Sequence, residues 1–240
     1  MIFSGGLDSS TLLYYLLERR KYDEIHCLSF NYGQRHSKEL EYAKKIIEVT
    51  CKRFPEKKII HKIIDISTIH ELIAKGALTG EDALPQGEMY TSENQKKTIV
   101  PNRNMILLSI GAGYAIKIGA KKVFYGAHSS DYSVYPDCRP EFVKVLNAAL
   151  FVGNIWTPVE VEAPFVHMTK ADIVKLGLEL KIPYQYTWTC YKGGERPCLK
   201  CAACLERTEA FMKNNIRDPA LTPEEWIEAL KQYHLVTMNK

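Results

Sequence analysis

The sequence predicts an α/β fold, a doubly wound parallel sheet followed by a C-terminal metal-binding loop and helices, and three observations carry that expectation. Short, nearly continuous apolar runs alternate with segments of helical periodicity, as they do when parallel strands are covered on both faces by crossover helices. A Gly-Gly turn stands between the first apolar run and the first helix, where such folds keep their ligands. Four of the seven cysteines fall between positions 190 and 204. With 240 residues, 46% apolar and 25% charged, the chain has ordinary globular usage. We expect an α/β domain over 1–185, with 186–240 packed on it to complete one compact unit.

The elements follow in order. Met1-Ile2-Phe3 reads as a very short first strand, and Thr11 to Arg20 as a helix. Between them lies Ser4-Gly5-Gly6-Leu7-Asp8-Ser9-Ser10. Its glycines allow a tight turn and close approach to a ligand. Asp8, Ser9 and Ser10 can cap the helix, whose free N–H groups and positive dipole end attract phosphate oxygens. No Gly-Lys-Ser/Thr closes the turn, so it is not a Walker A loop; a capped turn without a ligand is the alternative.

Glu24 to Phe30 is a strand, Ser37 to Arg53 a helix with Leu40, Ala43, Ile46 and Ile47 on one face, and Lys58 to Asp65, with four isoleucines, a further strand. A short helix, Ser67 to Lys75, precedes a polar stretch from Gly76 to Val100, read either as a lid or as disorder without function. Asn102 is a candidate cap for a helix from Met105 to Lys117, where Gly111 and Gly113 permit close packing. Lys122 to Gly126 is a strand whose carboxyl end runs into His128. This gathers the first turn, Asn31 to His36 and His128 to Arg139 around one crevice. Pro140 to Phe151 is helical, Val159 to Glu162 an edge strand, and Thr169 caps a helix through Leu180. Helices from Ala202 to Asn214 and Pro223 to Gln232 close the chain.

The net charge of +4 is mild and no dense basic tract occurs, which argues against a dedicated nucleic-acid binder. Neither a membrane-length apolar run nor the pattern of a signal peptide is present, so a cytoplasmic location without membrane contact is expected. In a reducing compartment clustered cysteines indicate metal or catalysis. Cys190, Cys198, Cys201 and Cys204 are separated by seven, two and two residues, a spacing that brings four thiolates around one tetrahedral ion. Four protein ligands leave no open position, which suits a structural zinc; an iron–sulfur cluster is the alternative. Cys27, Cys51 and Cys138 have no partner spacing.

Taken together, Ser-Gly-Gly-Leu-Asp-Ser, Tyr32-Gly33-Gln34-Arg35-His36, Pro101-Asn102-Arg103-Asn104, Asp131-Tyr132-Ser133-Val134-Tyr135-Pro136-Asp137-Cys138-Arg139 and Thr187-Trp188-Thr189-Cys190-Tyr191 resemble the QueC family of 7-cyano-7-deazaguanine synthases, within the PP-loop ATP pyrophosphatases. The resemblance covers nearly the whole chain, although family members usually carry several more residues ahead of the Ser-Gly-Gly. It implies a Rossmann-like sheet of the adenine nucleotide α-hydrolase-like kind, one structural Zn²⁺ per chain on the four cysteines, ATP with Mg²⁺, and a homodimer. The implied reaction converts 7-carboxy-7-deazaguanine and ammonia to the 7-cyano base, a precursor of queuosine or archaeosine in transfer RNA, without direct contact with nucleic acid.

On that resemblance ATP is held by Phe3, Ser4, Gly5, Gly6, Leu7, Asp8, Ser9, Ser10, Thr11, Leu12 and Leu13. Arg103 and Lys170 are candidate cations for the phosphates, and Asp8 either caps the helix or contacts Mg²⁺. For each cation the alternative is a solvated surface charge. A guanine-like edge presents adjacent N–H donors, for which Asp131 or Asp137 is a complementary acceptor, with Tyr132 or Tyr135 available to stack on the ring. Arg139 is a candidate to orient the substrate carboxylate. An ordinary Asp/Pro turn is the alternative here. His36 and His128 are able to carry the proton that ammonium must lose, and neither is assigned. The length leaves no room for an amidotransferase domain, so free ammonia is the expected nitrogen source. Two competing readings remain, a PP-loop enzyme that thiolates transfer RNA and a non-catalytic zinc-stabilised binding module.

Overall fold

Strands β1 (Glu24–Asn31) and β2 (Lys58–Asp65) pair in parallel along their whole length, Glu24 opposite Lys58 and Asn31 opposite Asp65. β3 (Lys122–Phe124) and β4 (Glu160–Glu162) form a second parallel pair. The structure, a computed structural model, describes residues 1–34, 38–73, 98–132 and 135–238. His36 and positions 76–97 of the lid-or-disorder reading therefore lie outside the described residues.

Met1–Phe3 joins the two pairs. Phe3 N–H donates to the Leu28 carbonyl at 2.8 Å and Leu28 N–H to the Met1 carbonyl at 2.9 Å, while Ile2 N–H donates to the Phe124 carbonyl at 2.8 Å on the other side. The expected first strand is thus reduced to a single parallel bridge, Ile2 to Leu28, yet it carries hydrogen bonds on both flanks. The spatial order becomes β2, β1, Met1–Phe3, β3, β4. The chain starts at the centre and steps outward to each edge, which is the doubly wound arrangement.

Helix α1 (Leu7–Glu18) is buried on almost every side, with Leu7, Leu12, Leu13 and Leu16 at 1% exposure or less. It has no polar face because other helices surround it. α2 (Lys38–Arg53) is amphipathic and turns Ala43, Ile46 and Ile47 inward, as its periodicity requires. After the single turn α3 (His70–Ile73) come α4 (Arg103–Lys117), α5 (Pro140–Gly153), α6 (Lys170–Glu179), α7 (Ala202–Lys213) and α8 (Pro223–Met238). One core cluster joins Phe3, Leu7, Ile173, Tyr184 and Phe211, so α1, α6 and α7 share a layer. A second joins Leu108, Val123, Leu146 and Val161 beneath α4 and α5. Thr169 caps α6 through a complete capping box, its hydroxyl accepting from Asp172 N–H at 3.2 Å while the Asp172 carboxylate accepts Thr169 N–H at 2.9 Å. Asn102 occupies the N-cap position of α4 in a left-handed conformation, φ 55°, with no side-chain cap bond.

Gly5 has φ +76°, and a Cβ there would lie 2.5 Å from the Ala43 backbone nitrogen of α2. The missing side chain lets α2 rest on the turn; the close approach is to a helix. Gly111 packs against Ile2 and Val123, where a Cβ would meet both at 3.2–3.3 Å, whereas Gly113 faces open space and is not needed for packing.

Two substitutions separate these cases by urea denaturation. Gly5→Ala is expected to lose about 2–4 kcal/mol, from strain at positive φ together with the clash on α2. Gly113→Ala is expected to gain about 0.5–1 kcal/mol, since it removes only the helix-interior penalty of glycine.

Candidate active site

A cavity of about 270 Å³ opens at the carboxyl ends of the strands, and Ser4, Asp8, Arg103, His128, Lys170 and Glu206 are among its walls. Its floor is the turn into α1. The helix starts at Leu7, with Gly6 as N-cap and no side-chain cap hydrogen bond. Asp8, Ser9 and Ser10 therefore lie inside the first turn, two to four positions past the N-cap and too late to cap it. The serines brace the turn instead: Ser9 Oγ lies 3.1 Å from Ser4 Oγ, and Ser4 Oγ accepts Gly6 N–H at 3.2 Å. Among the described residues no side chain caps the first-turn N–H groups, which stand at the positive end of the dipole as an anion site needs.

Of the residues expected to hold ATP, Phe3, Ser4, Gly6, Leu7, Asp8 and Ser9 border this cavity. Gly5 turns toward α2. Leu12 and Leu13 are fully buried in the core, and Thr11 Oγ1 bonds the Leu7 carbonyl and the Tyr184 hydroxyl, each at 2.8 Å. A helix that begins at Leu7 has carried these positions beyond its first turn and into the protein.

The charged groups form one cluster. Lys170 Nζ lies 2.8 Å from Glu206 Oε2 and 3.2 Å from Asp8 Oδ2, and His128 Nε2 lies 3.3 Å from Asp131 Oδ2 and 3.7 Å from Asp8 Oδ2. Burial would raise the Asp8 carboxyl, but Lys170 and His128 more than reverse this and hold it well below the usual carboxylate range. Burial works against the Lys170 ammonium, yet Asp8, Glu206 and Asp131 keep its pKa above the ordinary lysine value. Asp131 is pushed up to about 6 by burial, opposed by His128 and assisted by Glu206. His128 is raised in turn, since Asp131 and Asp8 outweigh its burial. Among the described residues, Oδ1 of Asp8, Oγ of Ser10 and Nδ1 of His128 are buried without a hydrogen-bond partner.

Arg103, at the start of α4, also lines the cavity, with its guanidinium 5.9 Å from the centre of the Tyr32 ring. Burial would lower its pKa, but Tyr32, Tyr135 and Asp137 raise it above the ordinary value, so it is a permanent cation. Tyr135 also borders the cavity and shares a 2.7 Å hydrogen bond with Thr98. Asp137 and Arg139 do not line it: the Asp137 carbonyl accepts the Tyr125 hydroxyl, and the Arg139 guanidinium donates to the Tyr132 carbonyl at 2.6–2.8 Å. Tyr132 donates its own hydroxyl to the Val166 carbonyl. Glu206 escaped the sequence reading. It lies two residues after Cys204, and nothing local marks it as the partner of a lysine 36 positions away.

Cys190, Cys198, Cys201 and Cys204 place their sulfurs within 4.8 Å of one another. A tetrahedral zinc with bonds near 2.3 Å separates its sulfurs by about 3.8 Å, so the four thiolates fit a single ion. Backbone N–H groups of Lys192 and Cys198 point at Cys190 Sγ, at 3.4 and 3.3 Å, and Cys201 N–H points at Cys198 Sγ at 3.3 Å. These donors suit sulfurs that carry negative charge. His128, Asp131 and Glu206 also bring ligand atoms within 4.8 Å of one another, and the Lys170 ammonium already stands against Glu206 there. Trp188 ties the cysteines to the phosphate turn: its backbone N–H donates to the Gly5 carbonyl at 3.2 Å, and its indole N–H to the Cys190 carbonyl at 2.9 Å.

The family described as queuosine biosynthesis protein QueC matches residues 1–215 of the chain. A 7-cyano-7-deazaguanine synthase of Archaeoglobus fulgidus is 61% identical over 97% of this chain and 93% of its own length. Proteins of the same name from Pseudoalteromonas atlantica and Hahella chejuensis are each 51% identical over 91% of this chain, and over 95% and 90% of their own lengths.

Two measurements test the geometry. Lys170→Met leaves two carboxylates facing each other in the protein and is expected to cost about 3 kcal/mol in urea denaturation; adding Glu206→Met should return roughly 1 kcal/mol or more of that loss. Elemental analysis should find one metal ion per chain on the cysteines. Cys201→Ser should release it and lower the melting temperature by roughly 10 °C or more, because metal binding is coupled to folding.

Proposed function

The chain belongs to the QueC family, and on that premise we propose that it is an ATP-dependent carbon–nitrogen ligase that makes 7-cyano-7-deazaguanine from 7-carboxy-7-deazaguanine and ammonia. The observation that carries the reading is the uncapped N-terminus of α1, which opens into one cavity with Lys170 and Arg103. An enzyme that expels pyrophosphate needs this combination of backbone N–H groups and fixed cations. A metal-stabilised binding module does not.

The chemistry asks the protein for charge and alignment and for no nucleophile of its own. A carboxylate is a poor electrophile, so its oxygen first attacks the α-phosphorus of ATP, giving an acyl adenylate and pyrophosphate. Ammonia, having lost the extra proton of ammonium, displaces AMP to give the amide. A second ATP adenylates the amide oxygen, pyrophosphate leaves again, and loss of AMP with the remaining N–H protons yields the nitrile.

In this reading Ser4, Ser9 and the first-turn N–H groups of α1 receive the leaving pyrophosphate, with Lys170 beside them. Mg²⁺ supplies further positive charge along the polyphosphate. Asp8 keeps the Lys170 ammonium turned toward the turn, a role supported by their 3.2 Å contact. Arg103 is better placed than Arg139 to meet the substrate carboxylate, since it borders the cavity while Arg139 is held by the Tyr132 carbonyl. Asp131 and Tyr135, both at the cavity wall, are assigned to the guanine-like edge and the ring face. Asp137 remains an outer contributor through its charge on Arg103.

Zinc is the ion assigned to the four cysteines, as their short sulfur separations suit one tetrahedral centre better than the wider cage of an iron–sulfur cluster. No helix among the described residues is long and apolar enough to cross a membrane, which agrees with a cytoplasmic setting. A homodimer and a product directed to queuosine or archaeosine complete the reading.

The test is a mass-spectrometric assay of purified protein with Mg²⁺-ATP, ammonium and 7-carboxy-7-deazaguanine. The nitrile should appear with two AMP per product, from colourless protein containing zinc and no iron. Arg103→Ala should lower kcat by about 100-fold or more. Folded, metal-loaded protein that forms neither amide nor nitrile would overturn the assignment.

A further inference from the structure

Among the described residues, four carboxylates line the cavity: Asp8, Glu39, Asp131 and Glu206. Three of them already face a cation or an imidazole, Asp8 and Glu206 against Lys170 and Asp131 against His128. Glu39 does not. It stands in the first turn of α2, half-buried, and closes no hydrogen bond or ion pair among the described residues.

Its neighbours on the cavity wall do not supply what it lacks. Gln34 turns its amide to the end of β1, where Oε1 accepts Tyr32 N–H at 2.9 Å and Nε2 donates to the Phe30 carbonyl at 3.2 Å. Arg103 acts on Glu39 through its charge, yet the two do not close into an ion pair. Removing a carboxylate from water without a donor to replace it is unfavourable. Burial accordingly pushes the Glu39 carboxyl above the usual glutamate range, and the Arg103 charge reverses this only in part. A carboxylate left in this condition at a cavity wall marks a place for a ligand that brings positive charge or N–H donors.

The proposed reaction narrows the choice of ligand. Its polyphosphate and its carboxylate substrate are anions, which Glu39 repels. Its nitrogen source is ammonium, which carries only N–H donors and a positive charge and so needs an anionic acceptor. The substrate carboxylate is assigned to Arg103, and Arg103 is the charge that reaches Glu39. An ammonium held by Glu39 therefore waits in the neighbourhood of the carbon that it must join.

We propose that Glu39 is the ammonium site, its carboxylate binding the nitrogen co-substrate and taking the proton that makes it a nucleophile. The inference rests on the proposed function and adds to it the residue that receives ammonium. In the amide-forming step one ammonium proton passes to a Glu39 oxygen, which frees the lone pair on nitrogen. That pair forms the C–N bond at the acyl carbon, and the C–O bond to AMP breaks with its electron pair leaving on the AMP phosphate. A second N–H proton departs to water, and Glu39 returns its own proton to solvent before the next ammonium binds.

Steady-state kinetics of the full, metal-loaded chain with Mg²⁺-ATP, 7-carboxy-7-deazaguanine and varied ammonium test this. Glu39→Gln should raise KM for ammonium by about 10–100-fold, while KM for ATP and for the base stays within about threefold of the wild type. Glu39→Asp keeps the charge and should recover part of the loss. Hydroxylamine is uncharged near neutral pH and captures an acyl adenylate without help from a carboxylate, so Glu39→Gln and the wild type should form hydroxamate and AMP at equal rates. A Glu39→Gln chain that uses ammonium as the wild type does, that raises KM for the base in place of ammonium, or that loses hydroxamate together with amide would overturn the site. A wild type that forms neither hydroxamate nor amide would instead overturn the proposed function, and the site with it.

Discussion

A single ammonium group fixes the architecture of the site. Lys170 is the first residue of α6, at the positive end of a helix dipole, where a cation is unfavourable. It is held there, almost fully buried, because Asp8 from the turn into α1 and Glu206 from α7 flank it with carboxylates. Removing either acid leaves charge uncompensated in a poorly solvated place. Three segments distant in the chain are thereby locked in one arrangement. The uncapped turn of α1 is aimed at the same volume, and Arg103 and His128 face it from α4 and from the end of β3.

Much of this was legible in the sequence, where the signal was local. Alternating strands and helices, the Thr169 cap and the cysteine spacing are patterns of near neighbours, and they appear where they were expected. What escaped depended on partners far along the chain. Glycine at position 5 is explained by the backbone of α2 at Ala43, a contact that no local rule supplies. Glu206 looked like an ordinary helix glutamate because its lysine is remote. The first strand, Met1–Phe3, was legible as an apolar start, but its place between two strand pairs, with hydrogen bonds on both flanks, was not. Asp137 and Arg139 share a turn with Asp131 and Tyr135, and only the path of that turn decides which side chains reach the cavity.

The same contrast separates the two candidate metal-ligating groups. The cysteines converge with backbone N–H groups aimed at their sulfurs. His128, Asp131 and Glu206 converge too, but a lysine ammonium is already among their contacts. Convergence alone is therefore a weak sign of a metal; what surrounds the ligands decides.

Trp188 gives the cysteine centre a reach beyond stability. Its backbone N–H holds the carbonyl of Gly5, and its indole holds the carbonyl of Cys190, so one residue spans the floor of the cavity and the metal loop. An ion that orders the loop would have, in these two hydrogen bonds, a direct route to the turn. Coupling between two binding events is reciprocal. To the extent that the ion tightens the grip of the turn on a polyphosphate, a bound polyphosphate tightens the grip of the cysteines on the ion by the same factor. A chain at work would then lose its metal more slowly than one at rest.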